Sequence, residues 1–230
     1  MFLRLRFAAV IALVLCTGSV HAQSDPDELC SQGPALYESG RLKAAFRIFM
    51  ACAIQGDARS LYSAAMMMRS GESNDEHTPN LFGARVFLEH SVSLGYPQAI
   101  YALGKEYDVG SPAFHRDVSL ATEFFREAAL LGHVDAQVDL ATQYLLGRGG
   151  VPQDDQVAAL WYERAAYAGH WGAQYLIASM YEHGNGVSRN ERLALRWYER
   201  AKQGGDEVAP LKVEQLKLRL ATRTRQLRLD

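Results

Sequence analysis

The sequence predicts an all-α fold: a right-handed α-solenoid of about five stacked helix-turn-helix units, followed by a C-terminal capping helix. Three observations predict it. Glycines that end apolar stretches stand at Gly56, Gly95, Gly132, Gly169 and Gly205, at intervals of 39, 37, 37 and 36 residues. The residues before each glycine recur in register: alanine eleven before it (Ala45, Ala84, Ala121, Ala158, Ala194), large apolar residues eight and seven before it, and a small residue four before it. A second periodic stretch follows the glycines in the middle of the chain. A fixed period of this length marks a repeat array, whose units bury their apolar stripes only against their neighbours.

Residues 1–22 stand apart from the array. Arg4 and Arg6 precede an apolar run from Phe7 to Leu15, then Thr17, Gly18 and Ser19, which is the pattern of a secretory signal with its cut after Ala22. A lipoprotein cut before Cys16 is the competing reading, against which Leu15 is bulky where a small residue is wanted. The run is shorter than the ~20 residues that a spanning helix needs, and no later segment is apolar enough to span. The mature protein is therefore expected to be exported, periplasmic or secreted, with no membrane span.

Residues 23–56 form a first, degenerate pair. Cys30 and Cys52 lie nearly symmetrically about Gly40 and Arg41. If two antiparallel helices turn there, the sulfurs fall at one level and could form a disulfide; two small buried thiols are the alternative. A metal would need two further ligands, and no local cluster supplies them.

Residues 57–207 form four units. In the second helix of each pair, including the first, the buried face joins the alanines to Ile48, Phe87, Phe124, Trp161 and Trp197, to Phe49, Leu88, Phe125, Tyr162 and Tyr198, and to Cys52, Ser91, Ala128, Ala165 and Ala201. Offsets of 11, 8, 7 and 4 before the glycine lie on one helical face, and the glycine is the stop. Asn80, Asp117, Asp154 and Asn190, fifteen before their glycines, are expected N-caps, with Arg41 the exception. The first helices read Ala99, Leu103, Gly104, Tyr107; Ala136, Leu140, Ala141, Tyr144; and Ala173, Ile177, Ala178, Tyr181. Ser60, Ala64 and Met68 depart from that pattern, and the loop from Gly71 to Pro79 lacks the Gly-x-Gly-Val turn seen around Gly184.

These motifs (Ala-x3-Leu-Gly/Ala-x2-Tyr, Gly-x-Gly-Val, Asp/Asn-x3-Ala-x2-Trp-Tyr-x2-Ala and Gly-x3-Ala) resemble Sel1-like repeats, relatives of the tetratricopeptide repeat, over roughly residues 57–209. The resemblance implies a groove lined by the first helices. Carried over by position, its lining is Arg59, Tyr62, Met66 and Arg69; Gln98, Tyr101, Lys105 and Asp108; Asp135, Val138 and Thr142; and Tyr175, Ser179 and Glu182. At one shared offset, six residues after the repeat glycine, stand Tyr62, Tyr101, Val138 and Tyr175, and these tyrosines either meet a partner, as large rigid contacts, or pack between neighbouring units. The resemblance also implies envelope roles such as polysaccharide export, flagellar-motor accessory work or host interaction.

Residues 208–230 read as one helix with Leu211, Leu216, Leu218, Leu220 and Leu227. Its other face carries Lys212, Lys217, Arg219, Arg223, Arg225 and Arg228 against Glu214 and Asp230, so it either caps the last unit or docks an acidic partner or a lipid headgroup.

Function is expected to be a non-enzymatic scaffold or adaptor for another protein or a peptide segment, without a cofactor. The net charge of -2 gives no pull toward nucleic acid. A cell-wall or β-lactam hydrolase is the alternative, but the sequence has no Ser-x-x-Lys, Ser-Asp-Asn or Lys-Thr-Gly. An architectural envelope subunit is a third reading, with contacts on the convex face or the basic helix. His133 and His170 read as water-exposed loop residues, and Glu163-Arg164 and Glu199-Arg200 as solvated faces bearing helix ion pairs.

Overall fold

The computed structural model describes residues 26–74 and 76–226. The expected signal segment, Cys16, Leu227, Arg228, Asp230 and the Arg225 side chain lie outside the described residues. Among the described residues are eleven helices: α1 Pro26–Glu38, α2 Leu42–Ile54, α3 Ala58–Ser70, α4 Leu81–Ser93, α5 Pro97–Val109, α6 Val118–Leu130, α7 Val134–Leu146, α8 Asp155–Tyr167, α9 Trp171–His183, α10 Glu191–Gln203 and α11 Ala209–Gln226. Apart from one isolated bridge between Ser111 and Phe114, these residues contain no β structure. The class is the all-α helix-hairpin class that the period predicts.

The chain divides into two compact units, up to Tyr96 and from Pro97 onward. In unit 1, α1 packs on α2, α2 on α3 and α3 on α4. In unit 2 the same serial packing runs from α5 to α11. The expected stripes are the ones buried. The five alanines eleven before the glycines, the five residues seven before them and the five small residues four before them are all buried. Of the large residues eight before the glycines, only Trp197 is fully enclosed. Each repeat glycine adopts positive φ, from +75° at Gly95 to +98° at Gly205, a left-handed stop that glycine reaches without strain.

Asn80, Asp117, Asp154 and Asn190 cap α4, α6, α8 and α10 through side-chain oxygens, and Arg41 makes no such bond. The backbone N–H of each of these four caps donates to a carbonyl in the last turn of the preceding first helix: Met68, Tyr107, Tyr144 and Tyr181, all at 2.8 to 2.9 Å. The departing loop from Gly71 to Pro79 therefore closes like the others. Within it, Asn74 both accepts from the Thr78 N–H and donates to the Thr78 carbonyl.

The loops also seat neighbouring repeats. A Cβ on Gly149 would lie 1.9 Å from the Thr122 hydroxyl of α6, and one on Gly186 would lie 2.0 Å from the Asp155 carbonyl oxygen of α8. Both loops press their backbone onto the start of the second helix in the preceding repeat.

In unit 1, Cys30 and Cys52 form a disulfide between α1 and α2, with a Cα–Cα distance of 5.8 Å. The two sulfurs fall at one level of the hairpin, as its symmetry about Gly40 allows, so the buried-thiol alternative is set aside. The bridge ties a core in which Phe49 and Met67 pack with Ala45 and Ala64. Closing a loop of this length stabilises a fold by about 3 kcal/mol in the chain-entropy account. Reduction is expected to lower the thermal midpoint of the wild type and to leave a Cys30→Ser/Cys52→Ser variant unchanged, read by circular dichroism with and without reductant.

The C-terminal helix α11 covers the last hairpin, but of the leucines that the sequence singled out only Leu216 is buried there among the described residues. Ala209, Val213 and Leu216 are buried, whereas Leu211 and Leu218 are exposed. Asp206 sets this rotation by accepting from the Val208 and Ala209 N–H groups at 2.9 and 2.7 Å.

Candidate functional site

The candidate face of unit 2 is carried by α5, α7 and α9, whose inward stripes fix the direction of the flanking side chains. Tyr101 of α5 donates its hydroxyl to Asp139 Oδ2 at 3.0 Å, and the Lys105 ammonium reaches the same oxygen at 3.2 Å. The Tyr101 ring stacks on His133 at 4.4 Å and tilts against Phe125 at 5.8 Å. Burial, then the neighbouring Asp139 carboxylate, push the Tyr101 hydroxyl above its ordinary range, so it stays a donor. Farther along, Arg148 pairs with Asp108 at 3.5 Å, and His170 Nε2 lies 3.5 Å from Asp135 Oδ1. Thr142 shares a hydrogen bond of 2.8 Å with the Tyr162 hydroxyl, and Tyr175 meets Tyr198 edge-on at 5.2 Å. Gln98 and Asp135 are exposed, while Val138 and Ser179 are half-buried.

The face is therefore a row of side chains held by the next repeat. Asp139 joins two residues of α5 to α7, and it lies beside Val138, the residue the family pattern selected. Its signal in the sequence was a carboxylate on the same helical face as the expected lining, in the repeat that follows the one holding Lys105. Changing Asp139 to Ala strands the Tyr101 hydroxyl and the Lys105 ammonium. It should cost about 1–2 kcal/mol, against under about 1 kcal/mol for Lys105→Ala, whose pair is solvated. Thermal melts of the two variants check the order.

In unit 1, Tyr62 packs against Tyr96 at 5.6 Å, Met66 is half-buried, and Arg59 and Arg69 are exposed. The rings at the shared offset thus pack between elements of their own unit: Tyr62 on Tyr96, Tyr101 on His133 and Tyr175 on Tyr198.

Several expectations need correction. Glu182 does not line an open surface. Its side chain is 3% exposed and accepts from the Tyr198 hydroxyl at 3.0 Å, Lys212 at 3.3 Å and Arg219 at 3.2 Å. The basic side of α11 is turned largely onto acidic groups: Lys212 and Arg219 onto Glu182, Arg219 and Arg223 onto Glu191, and Lys217 onto Glu199. His133 and His170 are half-buried caps, not loop residues, accepting through Nδ1 from the Ala136 and Ala173 N–H groups at 3.2 and 3.0 Å. Glu163 and Glu199 take Tyr181 and Lys217 as partners, while Arg164 and Arg200 lie over the Trp161 and Trp197 rings. A guanidinium three residues after an indole gains both the ring face and an exposed head.

Among the described residues, no group of three or more His, Cys, Asp or Glu side chains could hold a metal ion, and no helix is long and apolar enough to cross a membrane.

The Sel1 repeat model matches residues 97–133, 134–170 and 171–206, three consecutive stretches that each comprise a first helix and its second. The chain belongs to the Sel1 repeat family. Its α3–α4 hairpin lies outside those matched stretches, where Ser60, Ala64 and Met68 replace the Sel1 pattern. Two solved structures illustrate the relationship. A Sel1 repeat protein from Oxalobacter formigenes is 30% identical with a TM-score of 0.68, over 76% of this chain and 49% of that one. The c5321 protein, a protective antigen present in uropathogenic Escherichia coli strains, is 26% identical with a TM-score of 0.73, over 84% of this chain and 41% of that one. The chain thus spans half or less of the length of these two Sel1 proteins. Immunity protein Pa5087 from Pseudomonas aeruginosa, 20% identical with a TM-score of 0.53, covers 84% of this chain and 70% of its own, and shares the fold. No curated protein matches the chain significantly. Sel1 repeat proteins are generally protein-interaction scaffolds, and the fold is typically non-catalytic.

Proposed function

We propose that the chain is a non-enzymatic adaptor, working after export, that holds a partner protein against the first-helix face of unit 2. The Asp139 contacts carry this reading. A carboxylate that fixes Tyr101 and Lys105 from the neighbouring repeat presents a polar surface already ordered, so a partner loses less conformational entropy on docking there. Gln98, Asp135 and Ser179 stand along the same helices as the points a visitor would reach. The inward pairing of the α11 cations favours this face over the basic helix as the contact surface. Export is supported by the basic and apolar start of the chain and by the Cys30–Cys52 disulfide, which persists in an oxidising compartment.

Photo-crosslinking residues placed singly at Gln98, Asp135 and Ser179, and at the exposed second-helix positions Glu123 and Leu160, test the reading in native envelopes. Adducts to one partner are expected from the first set. Adducts only from Glu123 or Leu160 would move the function to the opposite helices and end the proposal.

A further inference from the structure

The residue after a repeat glycine precedes each first helix, and where its chemistry allows, it caps that helix. Asp57 accepts from the Ser60 N–H at 2.9 Å, and Asp206 accepts from Val208 and Ala209. At the same register in the middle of unit 2 the caps are imidazoles, His133 and His170. A carboxylate remains an acceptor throughout the neutral range, whereas an imidazole accepts through Nδ1 only while that nitrogen carries no proton. The proton of the neutral ring then sits on Nε2, which in His170 faces Asp135.

Protonation changes both sites. An imidazolium turned toward the backbone N–H of Ala136 or Ala173 places donor against donor at the positive end of a helix. The groups around His133 are Asp135 and Asp139 of α7 and the Tyr101 ring of α5, with Lys105 of α5 on the same Asp139 oxygen; His170 meets Asp135. These carboxylates are the alternative partners for a charged ring, and Asp139 already holds Tyr101 and Lys105.

We propose that His133 and His170 form an acid-responsive switch in the first-helix face of unit 2: neutral, they cap α7 and α9; protonated, they give up the caps, His133 turning to Asp135 and Asp139 and His170 keeping only the Asp135 it already meets, and loosen the Tyr101–Asp139–Lys105 contact. Burial, opposed by the two carboxylates, holds His133 below the ordinary imidazole range. The neutral His133 cap is therefore the state near pH 7, and its change comes as pH falls below about 6.5. The switch acts on the face assigned above, yet it belongs to the free protein and needs no partner.

Amide hydrogen exchange on the free, exported chain, corrected for intrinsic rates, is the test. Between pH 7.5 and pH 5.5 the protection of Ala136 and Ala173 is expected to fall about fivefold, the equivalent of one cap bond. Ser60 and Leu193, capped by Asp57 and Asn190, should hold theirs. A His133→Asn/His170→Asn variant keeps acceptors that do not titrate and should lose the response. Unchanged protection in the wild type, or a full response in the double variant, overturns the switch. Nitrogen NMR of the imidazoles at pH 7.5 is a second arm that requires no substitution: a protonated Nδ1 in both rings also overturns it. Neither readout involves partner capture, so failure of the adaptor reading and failure of the switch are separable.

Discussion

Alanine at Gly186 is expected to destabilise unit 2 by about 3–4 kcal/mol, the sum of a left-handed backbone penalty and an overpacking penalty. The residue sits at φ +65°, and an added Cβ would meet the Asp155 carbonyl oxygen at 2.0 Å and its carbon at 2.3 Å. Both atoms belong to the backbone of α8, which a rotamer change cannot move. Gly169→Ala is the control, because it has φ +95° and open space around its Cβ. It should show the backbone part alone, about 1–2 kcal/mol. Urea unfolding of the two variants measures the difference, and equal midpoints would show that the loop does not press on α8.

Glu182→Ala is expected to cost about 2–3 kcal/mol, because it strands the buried Tyr198 hydroxyl and removes a charged acceptor, while Lys212 and Arg219 stay partly solvated. The substitution leaves the Tyr198 hydroxyl, Lys212 and Arg219 without their shared acceptor. Glu199→Ala breaks only the solvated pair with Lys217 and should cost under about 1 kcal/mol. Because α11 is held by Glu182, limited proteolysis of Glu182→Ala should begin within α11, with cleavage near the exposed Leu218. The same carboxylate gives a pH dependence. Burial alone would raise Glu182, but the Tyr198 and Lys212 hydrogen bonds outweigh it and hold the group below its ordinary value. Glu191 is likewise lowered, chiefly by its hydrogen bond from Arg189. A depressed carboxylate contributes stability that is present above the ordinary value of about 4.5 and is lost as pH falls through the folded value. Wild-type stability should therefore decline below about pH 4.5, and Glu182→Gln should flatten part of that slope.

The repeat was legible because its signal is redundant. Alanine at five equivalent positions, capped starts and glycine stops all demand the same hairpin, and the structure buries those alanines. The α3–α4 hairpin shows why a partial signal sufficed: the Asn80 N–H bonds to the backbone carbonyl of Met68 as its counterparts bond to three tyrosines, so the tyrosine ring is not needed to close the loop. The disulfide was legible as one of two readings, since symmetry about the turn fixed the level of the sulfurs but not their oxidation.

The face was less legible. Its contacts join residues 34 and 38 positions apart, and these depend on the rotation of α5 against α7, which no spacing within one repeat encodes. Tyr101 and Lys105 were both selected, while Asp139, which holds them, went unselected beside Val138. Glu182 was misplaced for a related reason. The repeat ends at Gly205, so the rotation of α11 follows from the Asp206 cap and from buried Val213 and Leu216, and that rotation brings Lys212 and Arg219 over the carboxylate. The imidazole caps escaped notice because histidine ranks outside the preferred capping residues.

The seating of Gly149 on α6 and of Gly186 on α8 gives the array a polarity in time as well as in space. The α5–α6 and α7–α8 hairpins are each completed by a loop that lies downstream, so a nascent chain can lock either of them only after the next has been synthesised. Trimming hairpins from the C-terminal side should thus unsettle the one left behind, while trimming from the front leaves each remaining hairpin the downstream loop that completes it.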